Sequence, residues 1–264
     1  MDLELTGRAA IVTGGGRGIG RAVARELARE GVAVAITSRT ASALETAAKE
    51  IESETGGRVV PIAADTTSTA SVRAMVDEAV ARLGRVDVLV NGAAAPGGRV
   101  RNPVEEADPE ALLDDLNTKV VGYFRCAQAV TPHMRATGYG RIINIGGLTG
   151  RASHALSGMR NLAVTHLTKA LSDQLGPDGI TVNVLHPGVV ETEHIHELYE
   201  AEAAKRGTTA AAVEQSYIDR TPIRRVLTVE EVAETICFLA SPRAAAITGE
   251  SIGIDGGLTR GIFI

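Results

Sequence analysis

Short, mostly apolar runs alternate along the chain with longer stretches in which apolar residues recur every three or four positions. The runs fall at 9–12, 32–36, 59–63, 86–90, 141–145, 180–185 and 251–254 and are rich in Val, Ile and Ala. Apolar runs of this length predict strands covered on both faces, as in a parallel sheet. Between them, Ile19, Val23 and Leu27 lie four apart, and Val72, Met75, Val76, Ala79, Val80 and Leu83 trace a helical stripe. Further helices are predicted from 41 toward 54, from Glu110 to about Ala136 with Leu112, Leu116, Val120 and Phe124 on one face, over 156–175 with Val164, Leu167, Leu171 and Leu175 as the buried seam, and over 229–240. Alternating strand and helix, joined by right-handed crossovers, predict an α/β doubly wound parallel sheet. Residues 191–225 are polar, Ala-rich and loosely periodic, which suits a surface lid on a single domain spanning 1–264.

The first strand runs into Thr13-Gly14-Gly15-Gly16-Arg17-Gly18-Ile19-Gly20, and a helix leaves it. Glycine permits backbone angles that a side chain forbids and lets a phosphate approach main-chain N–H groups. The helix start adds free donors and the positive end of its dipole. Gly14, Gly18 and Gly20 do not keep the strict G-x-G-x-x-G register, and no Gly-Lys-Ser/Thr follows, so a dinucleotide site is favoured over a nucleoside-triphosphate loop.

At 264 residues, 44% hydrophobic and 22% charged, the chain has enough apolar surface for one large domain. A net charge of -5 and the lack of a basic block argue against nucleic acid as a partner. Cys126 and Cys237 lie far apart in apolar helical stretches and read as buried small hydrophobes, with no disulfide framework and no metal site. Residues 1–6 carry two acids and no apolar signal core, and no run reaches membrane-spanning length, so a cytoplasmic protein without a membrane partner is expected.

Several motifs together resemble the short-chain dehydrogenase/reductase family in its compact one-domain form, over nearly the whole length. Thr13 to Gly20 is similar to that family's T-G-x-x-x-G-x-G loop, and Asp65 to its adenine-contacting Asp. Asn91-Gly92-Ala93-Ala94 resembles N-N-A-G with two departures, Asn117 sits where a mid-helix Asn is kept, and Pro187-Gly188-Val189-Val190-Glu191-Thr192 fits P-G-x-x-x-T. The resemblance implies that Gly14, Gly16, Arg17, Gly18, Ile19, Gly20, Ser38, Arg39, Asp65, Asn91, Pro187, Gly188 and Thr192 bind a nicotinamide dinucleotide. An NAD site needs an acid at the end of the second strand; Ser38 followed by Arg39 stands there, with Arg17 nearby. Two guanidinium groups suit a 2′-phosphate, so NADP(H) is the expected cofactor.

The family's reaction uses a Ser, a Tyr with a Lys four residues on, and an Asn. Here the corresponding positions are Gly147, Ser157 and Asn161, leaving Asn117 as the one match, with about three residues deleted between Gly147 and Ser157. No Tyr lies between Tyr139 and Tyr199 and no Lys between Lys119 and Lys169, so no shift of alignment restores the motif. Ser157 and Asn161, on one helix face, can hydrogen-bond ribose or substrate. Of the possible replacement acids, His154 is the first choice; His186, His194, His196, Tyr199 and Tyr217 read as packing, surface or anchoring residues, and Thr149 or Ser153 is an option for carbonyl contact.

The candidate catalytic set is therefore Asn117, Ser157, Asn161 and His154. The expected function is an NADP(H)-dependent oxidoreductase with a rebuilt proton-delivery site, acting on a small-molecule carbonyl, alcohol or activated alkene. A nucleotide-bound, redox-silent partner protein and a non-redox lyase, isomerase or cyclase are the alternatives. By resemblance the chain is expected to form a homo-oligomer, a dimer or tetramer.

Overall fold

The computed structural model describes residues 1–95, 98–100, 104–151 and 155–261. Its strands are β1 (Ala9–Thr13), β2 (Ala33–Ser38), β3 (Val59–Ala63), β4 (Val88–Asn91), β5 (Gly140–Ile145), β6 (Ile180–Pro187) and β7 (Ser251–Ile254). They form one seven-stranded sheet in the order β3-β2-β1-β4-β5-β6-β7, parallel at every pairing. The expected doubly wound sheet is what the chain forms, and the strand bounds agree to within two residues.

Two helical layers explain the unbroken apolarity of the strands. Val12 and Ile36 point to the layer of α1 (Gly18–Arg29), α2 (Ala41–Thr55) and α9 (Val229–Ala240), against Leu27, Leu44 and Ile236. Their neighbours Ile11 and Ala35 point the other way, with Met75, Val130 and Leu171 of α3 (Thr69–Leu83), α5 (Gly122–Thr137) and α6 (Gly158–Leu175). A strand sandwiched in this way has no solvent face on which polar residues could alternate.

The helix expected over 110–136 is interrupted. It consists of α4 (Pro109–Leu116), a π turn at Asn117–Val121, and α5. The wider turn rotates α5 about its axis, so the buried face of α5 carries Tyr123, Cys126, Val130 and Met134, while Phe124, placed on the core stripe by the pattern, is 43% exposed. Residues 191–225 fold into α7 (Glu193–Arg206) and α8 (Ala210–Arg220), which share a small core of Tyr199, Ala203 and Val213.

The order of strands reverses between β1 and β4, and in open α/β sheets the crevice beyond the carboxyl ends at such a point receives ligands. The glycine loop after β1 and the Gly92 turn after β4 meet there, so closely that a Cβ on Gly14 would lie 2.9 Å from the Gly92 carbonyl oxygen.

Candidate active site

The loop after β1 is built for a close-approaching anion. Gly14 and Gly18 hold φ of 73° and 51°, in the left-handed region, and a Cβ on Gly20 would sit 2.3 Å from the Gly14 carbonyl oxygen. Arg17 occupies the cap position of α1 in extended conformation, and no side chain caps the helix. The first-turn N–H groups of α1 thus have no side-chain acceptor, which is the donor set a pyrophosphate takes up. Ile19 packs on the hydrophobic core and serves the loop as an anchor. Gly16 lies beside Ser38, whose Oγ would be 3.9 Å from a Cβ on that glycine. Arg17 and Arg39 are exposed, and among the described residues neither side chain enters a hydrogen bond or an ion pair.

Asp65 follows β3 and takes both the N–H and the O–H of Thr67 on Oδ1, at 2.9 and 2.8 Å. Those bonds, aided by the charges of Arg39 and Arg125, hold its carboxyl below the usual range. On the far side of the loop, Gly188 donates its N–H to the Ile254 carbonyl, and Thr192, at the start of α7, places its methyl 3.8 Å from where a Cβ on Gly18 would be. Asn91 requires a correction. Its side chain is fully buried, with Nδ2 donating to Asn144 Oδ1 at 2.9 Å, so it ties β4 to β5 and does not face the crevice. Thr13 Oγ1 accepts the N–H groups of Gly92 and Ala93 and fixes the turn beside it.

At the chemical end, Asn117 is likewise reassigned: its Oδ1 accepts from Arg125 at 2.9 Å, and it does not bond Asn161. Lys119, two residues on and inside the π turn, takes that place. It is 3% exposed and donates from Nζ to Asn161 Oδ1 at 2.7 Å and to the Gly146 carbonyl at 2.8 Å. Burial, with the Arg160 charge adding to it and Asp115 opposing it, pulls its pKa well below the ordinary lysine value. Asn161 is itself buried and donates from Nδ2 to Thr149 Oγ1 at 2.7 Å. A Cβ on Gly147 would lie 2.8 Å from that same Nδ2, so Asn161 fills the space a serine side chain at 147 would need.

Ser157 precedes α6, is 5% exposed and is covered by Gly98, where an added Cβ would come within 2.5 Å of the Ser157 Cβ. Beneath it, Arg160 and Asp115 form a buried ion pair at 2.6 Å, and Arg160 also donates to the Ala95 carbonyl at 3.0 Å. Removing one member of such a pair leaves a buried charge and costs about 3–5 kcal/mol. Asp115, Lys119 and Tyr123 are three buried polar residues at four-residue spacing. In the sequence Asp114, Asn117 and Thr118 stand among them, and the apolar stripe through Leu112 and Leu116 directs attention to another face. Tyr123 donates its hydroxyl to the Ile145 carbonyl, and burial raises its pKa.

His186 is wholly buried. Its Nε2 lies 3.2 Å from Thr165 Oγ1, and its Nδ1 lies between the Gly147 N–H at 3.1 Å and the Gly147 carbonyl at 3.0 Å. It is a packing residue, as expected. In the lid, His194 pairs with Glu197 and His196 stacks edge-on to Tyr199. Tyr199 is more deeply buried than a half-buried anchor, at 2% exposure, and burial pushes its phenol up to about 12. Tyr217 packs beside Tyr199 and under Arg220. His154 and Ser153 lie outside the described residues. Among the described residues no group of His, Cys, Asp and Glu is arranged to hold a metal ion, and no helix is long and apolar enough to cross a membrane.

Residues 14–259 match the family model described as enoyl-(acyl carrier protein) reductase. The chain is 36% identical to the short-chain reductase protein NovJ of Streptomyces niveus, over 94% of this chain and 92% of the relative. Among solved structures it is similar to the L-sorbose reductase of Gluconobacter frateurii complexed with NADPH and L-sorbose, with a TM-score of 0.92, 28% identity and coverage of 99% and 100% of the two chains. It is also similar to an NAD+-bound xylitol dehydrogenase, with a TM-score of 0.89, 30% identity and coverage of 96% and 100%.

Proposed function

Because the chain belongs to the short-chain dehydrogenase/reductase family, we propose that it is an NADP(H)-dependent oxidoreductase acting on a small-molecule carbonyl or alcohol, or an activated alkene. The relatives and neighbours are named reductases and dehydrogenases, which supports redox chemistry over a silent nucleotide-bound protein. Several solved neighbours are complexed with NADPH or NADPH-dependent, which supports NADP(H), and one holds NAD+. The observation that carries the NADP(H) preference is the pair Arg17 and Arg39: exposed, with side chains free of hydrogen bonds and ion pairs among the described residues, and close to the loop where an adenosine 2′-phosphate would lie.

When bound, NADPH supplies the hydride. The uncapped start of α1 would hold its pyrophosphate, Asp65 its adenine, and Thr192 and the Pro187-Gly188 turn the nicotinamide half. The usual Ser, Tyr and Lys are replaced by Gly147, Ser157 and Asn161, and these positions are filled by a different hydrogen-bonded set: Lys119, Asn161 and Thr149. Gly98 over Ser157 leaves little room for a tyrosine at 157, so restoring Gly147→Ser, Ser157→Tyr and Asn161→Lys together is expected to impair the protein rather than awaken it.

Exposed Leu113, Val121 and Phe124 on the α4–α5 side, with Met159 and Leu162 on α6, support a homo-oligomer through this face. A cytoplasmic setting belongs to the same proposal and rests on two buried free thiols, Cys126 and Cys237.

The test is titration of NADPH and NADH by nucleotide fluorescence, which is uncluttered because the chain has no Trp. NADPH is expected to bind more tightly than NADH, and Arg39→Asp to weaken NADPH roughly tenfold to a hundredfold while sparing NADH, as for loss of a charge-assisted contact. Tighter NADH binding by the wild type overturns the cofactor assignment.

A further inference from the structure

Three side chains from three separate elements form one directional chain of hydrogen bonds. Lys119, in the π turn, has only donors on its ammonium, so the amide atom of Asn161 facing it at 2.7 Å is the oxygen. That turns the NH2 end of Asn161 toward Thr149, whose Oγ1 receives it at 2.7 Å. With its oxygen occupied as an acceptor, the Thr149 hydroxyl keeps its proton to give. Among the described residues no acceptor takes that proton, and Thr149, in the loop after β5, is only half-buried. Every bond in the series therefore points away from the cation and ends on a free O–H beside Gly147, where the family's reaction places a hydroxyl.

We propose that Thr149 is the hydroxyl that binds the substrate carbonyl, and that Lys119 polarises it through Asn161. The proposal rests on the reductase reading above. Hydride adds to the carbonyl carbon, the C=O π pair moves onto oxygen, and the Thr149 O–H holds that oxygen while it becomes an alkoxide. Solvent water then supplies the proton that completes the alcohol. Thr149 is the catalytic residue; Lys119 and Asn161 are positioning residues that act through it. A bond series headed by a charge strengthens along its length, and its effect is greatest when negative charge develops at the far end. The exchange also accounts for Gly147, since a serine there would contend with Asn161 Nδ2 for the same space.

Lys119 is surrounded by Asp115 of α4, Arg160 of α6, Tyr123 of α5 and His186 of β6. Its two acceptors, Asn161 Oδ1 and the Gly146 carbonyl, are both neutral. Its depressed pKa predicts an alkaline limb in the rate, as the ammonium loses its proton and the series loses its charge.

The experiment screens the wild type with NADPH against ethyl acetoacetate, cyclohexanone, 2,3-butanedione and cinnamaldehyde, and carries the best substrate into the variants Thr149→Val, Thr149→Ser, Lys119→Met and Lys119→Arg. Thr149→Val is expected to lower kcat/KM about 100-fold, the cost of one oxyanion donor, with NADPH affinity within about twofold of wild type and Thr149→Ser within about threefold on kcat/KM. Lys119→Met is expected to lower kcat and to abolish the alkaline limb. Should Lys119→Met fail to fold, Lys119→Arg keeps a permanent charge and is expected to lack the limb within the measured range. The proposal is overturned if Thr149→Val keeps more than about a third of wild-type kcat/KM, if Thr149→Ser is as impaired as Thr149→Val, or if a folded Lys119 variant keeps the wild-type limb. Wild-type protein that binds NADPH and turns over none of the panel would instead sink the reductase reading itself, and this one with it.

Discussion

At the scale of single residues, burial decides the chemistry. The pKa values of Lys119 and His186 are both lowered because water is excluded around them, and each side chain is held by hydrogen bonds to its neighbours. For His186 the folded value is about 4, against 6.5 for an ordinary histidine. Between those values the unfolded chain binds more protons than the folded one. Its contribution is therefore complete above pH 6.5 and lost as the pH falls toward 4, amounting to roughly 3 kcal/mol. The difference in unfolding free energy between wild type and His186→Asn, measured by denaturant titration at a series of pH values, is expected to shrink over that interval; a difference constant with pH contradicts the assignment. Asn117 and Lys119 show how far a site can depend on a two-residue offset. Both lie in the same turn, yet one side chain serves Arg125 and the other Asn161.

At the scale of elements, the π turn at Asn117–Val121 has the largest consequence. A single wider turn rotates the residues after it by about 100°. It keeps Lys119 and Tyr123 in line with the buried Asp115 of α4 and leaves Phe124 at the surface. Helix periodicity in the sequence assumes unbroken 3.6-residue turns, so a stripe drawn through the interruption selects the wrong face. Elsewhere the elements are ended by ordinary local chemistry. In α9, Thr228 Oγ1 accepts the Glu231 N–H while the Glu231 carboxylate accepts the Thr228 N–H, and Arg225 clasps the same carboxylate. Thr228→Ala is expected to cost about 1 kcal/mol of stability, read as a lowered denaturation midpoint with no change in the slope. An unchanged midpoint would show that Arg225 alone holds Glu231 in place.

At the scale of the whole molecule, the parallel sheet brings the ends of β1, β4, β5 and β6 to one edge, and both the glycine loop and the Lys119–Asn161–Thr149 series stand there. Leu113, Val121, Phe124, Met159 and Leu162 are exposed on α4, the π turn, α5 and α6. If two copies pair through these residues, Phe124→Glu together with Leu162→Glu is expected to yield monomers by sedimentation or light scattering, with NADPH affinity retained; monomeric wild type would remove the basis for the proposal. Sequence alone was sufficient for the strands and the glycine turn. These are local patterns, read within a few residues of one another: apolar runs that must be covered on both faces, and glycines where a backbone must approach a phosphate. The tertiary structure alone decided which buried polar side chains meet beside Gly147. Lys119 reaches Asn161 across 42 residues of chain, and Asn161 reaches Thr149 across 12. Those contacts exist because the parallel crossovers set α6 and the loop after β5 beside a π turn that no periodicity announces, and hydrogen-bond partners chosen by folding in this way leave no mark in the spacing of the residues that make them.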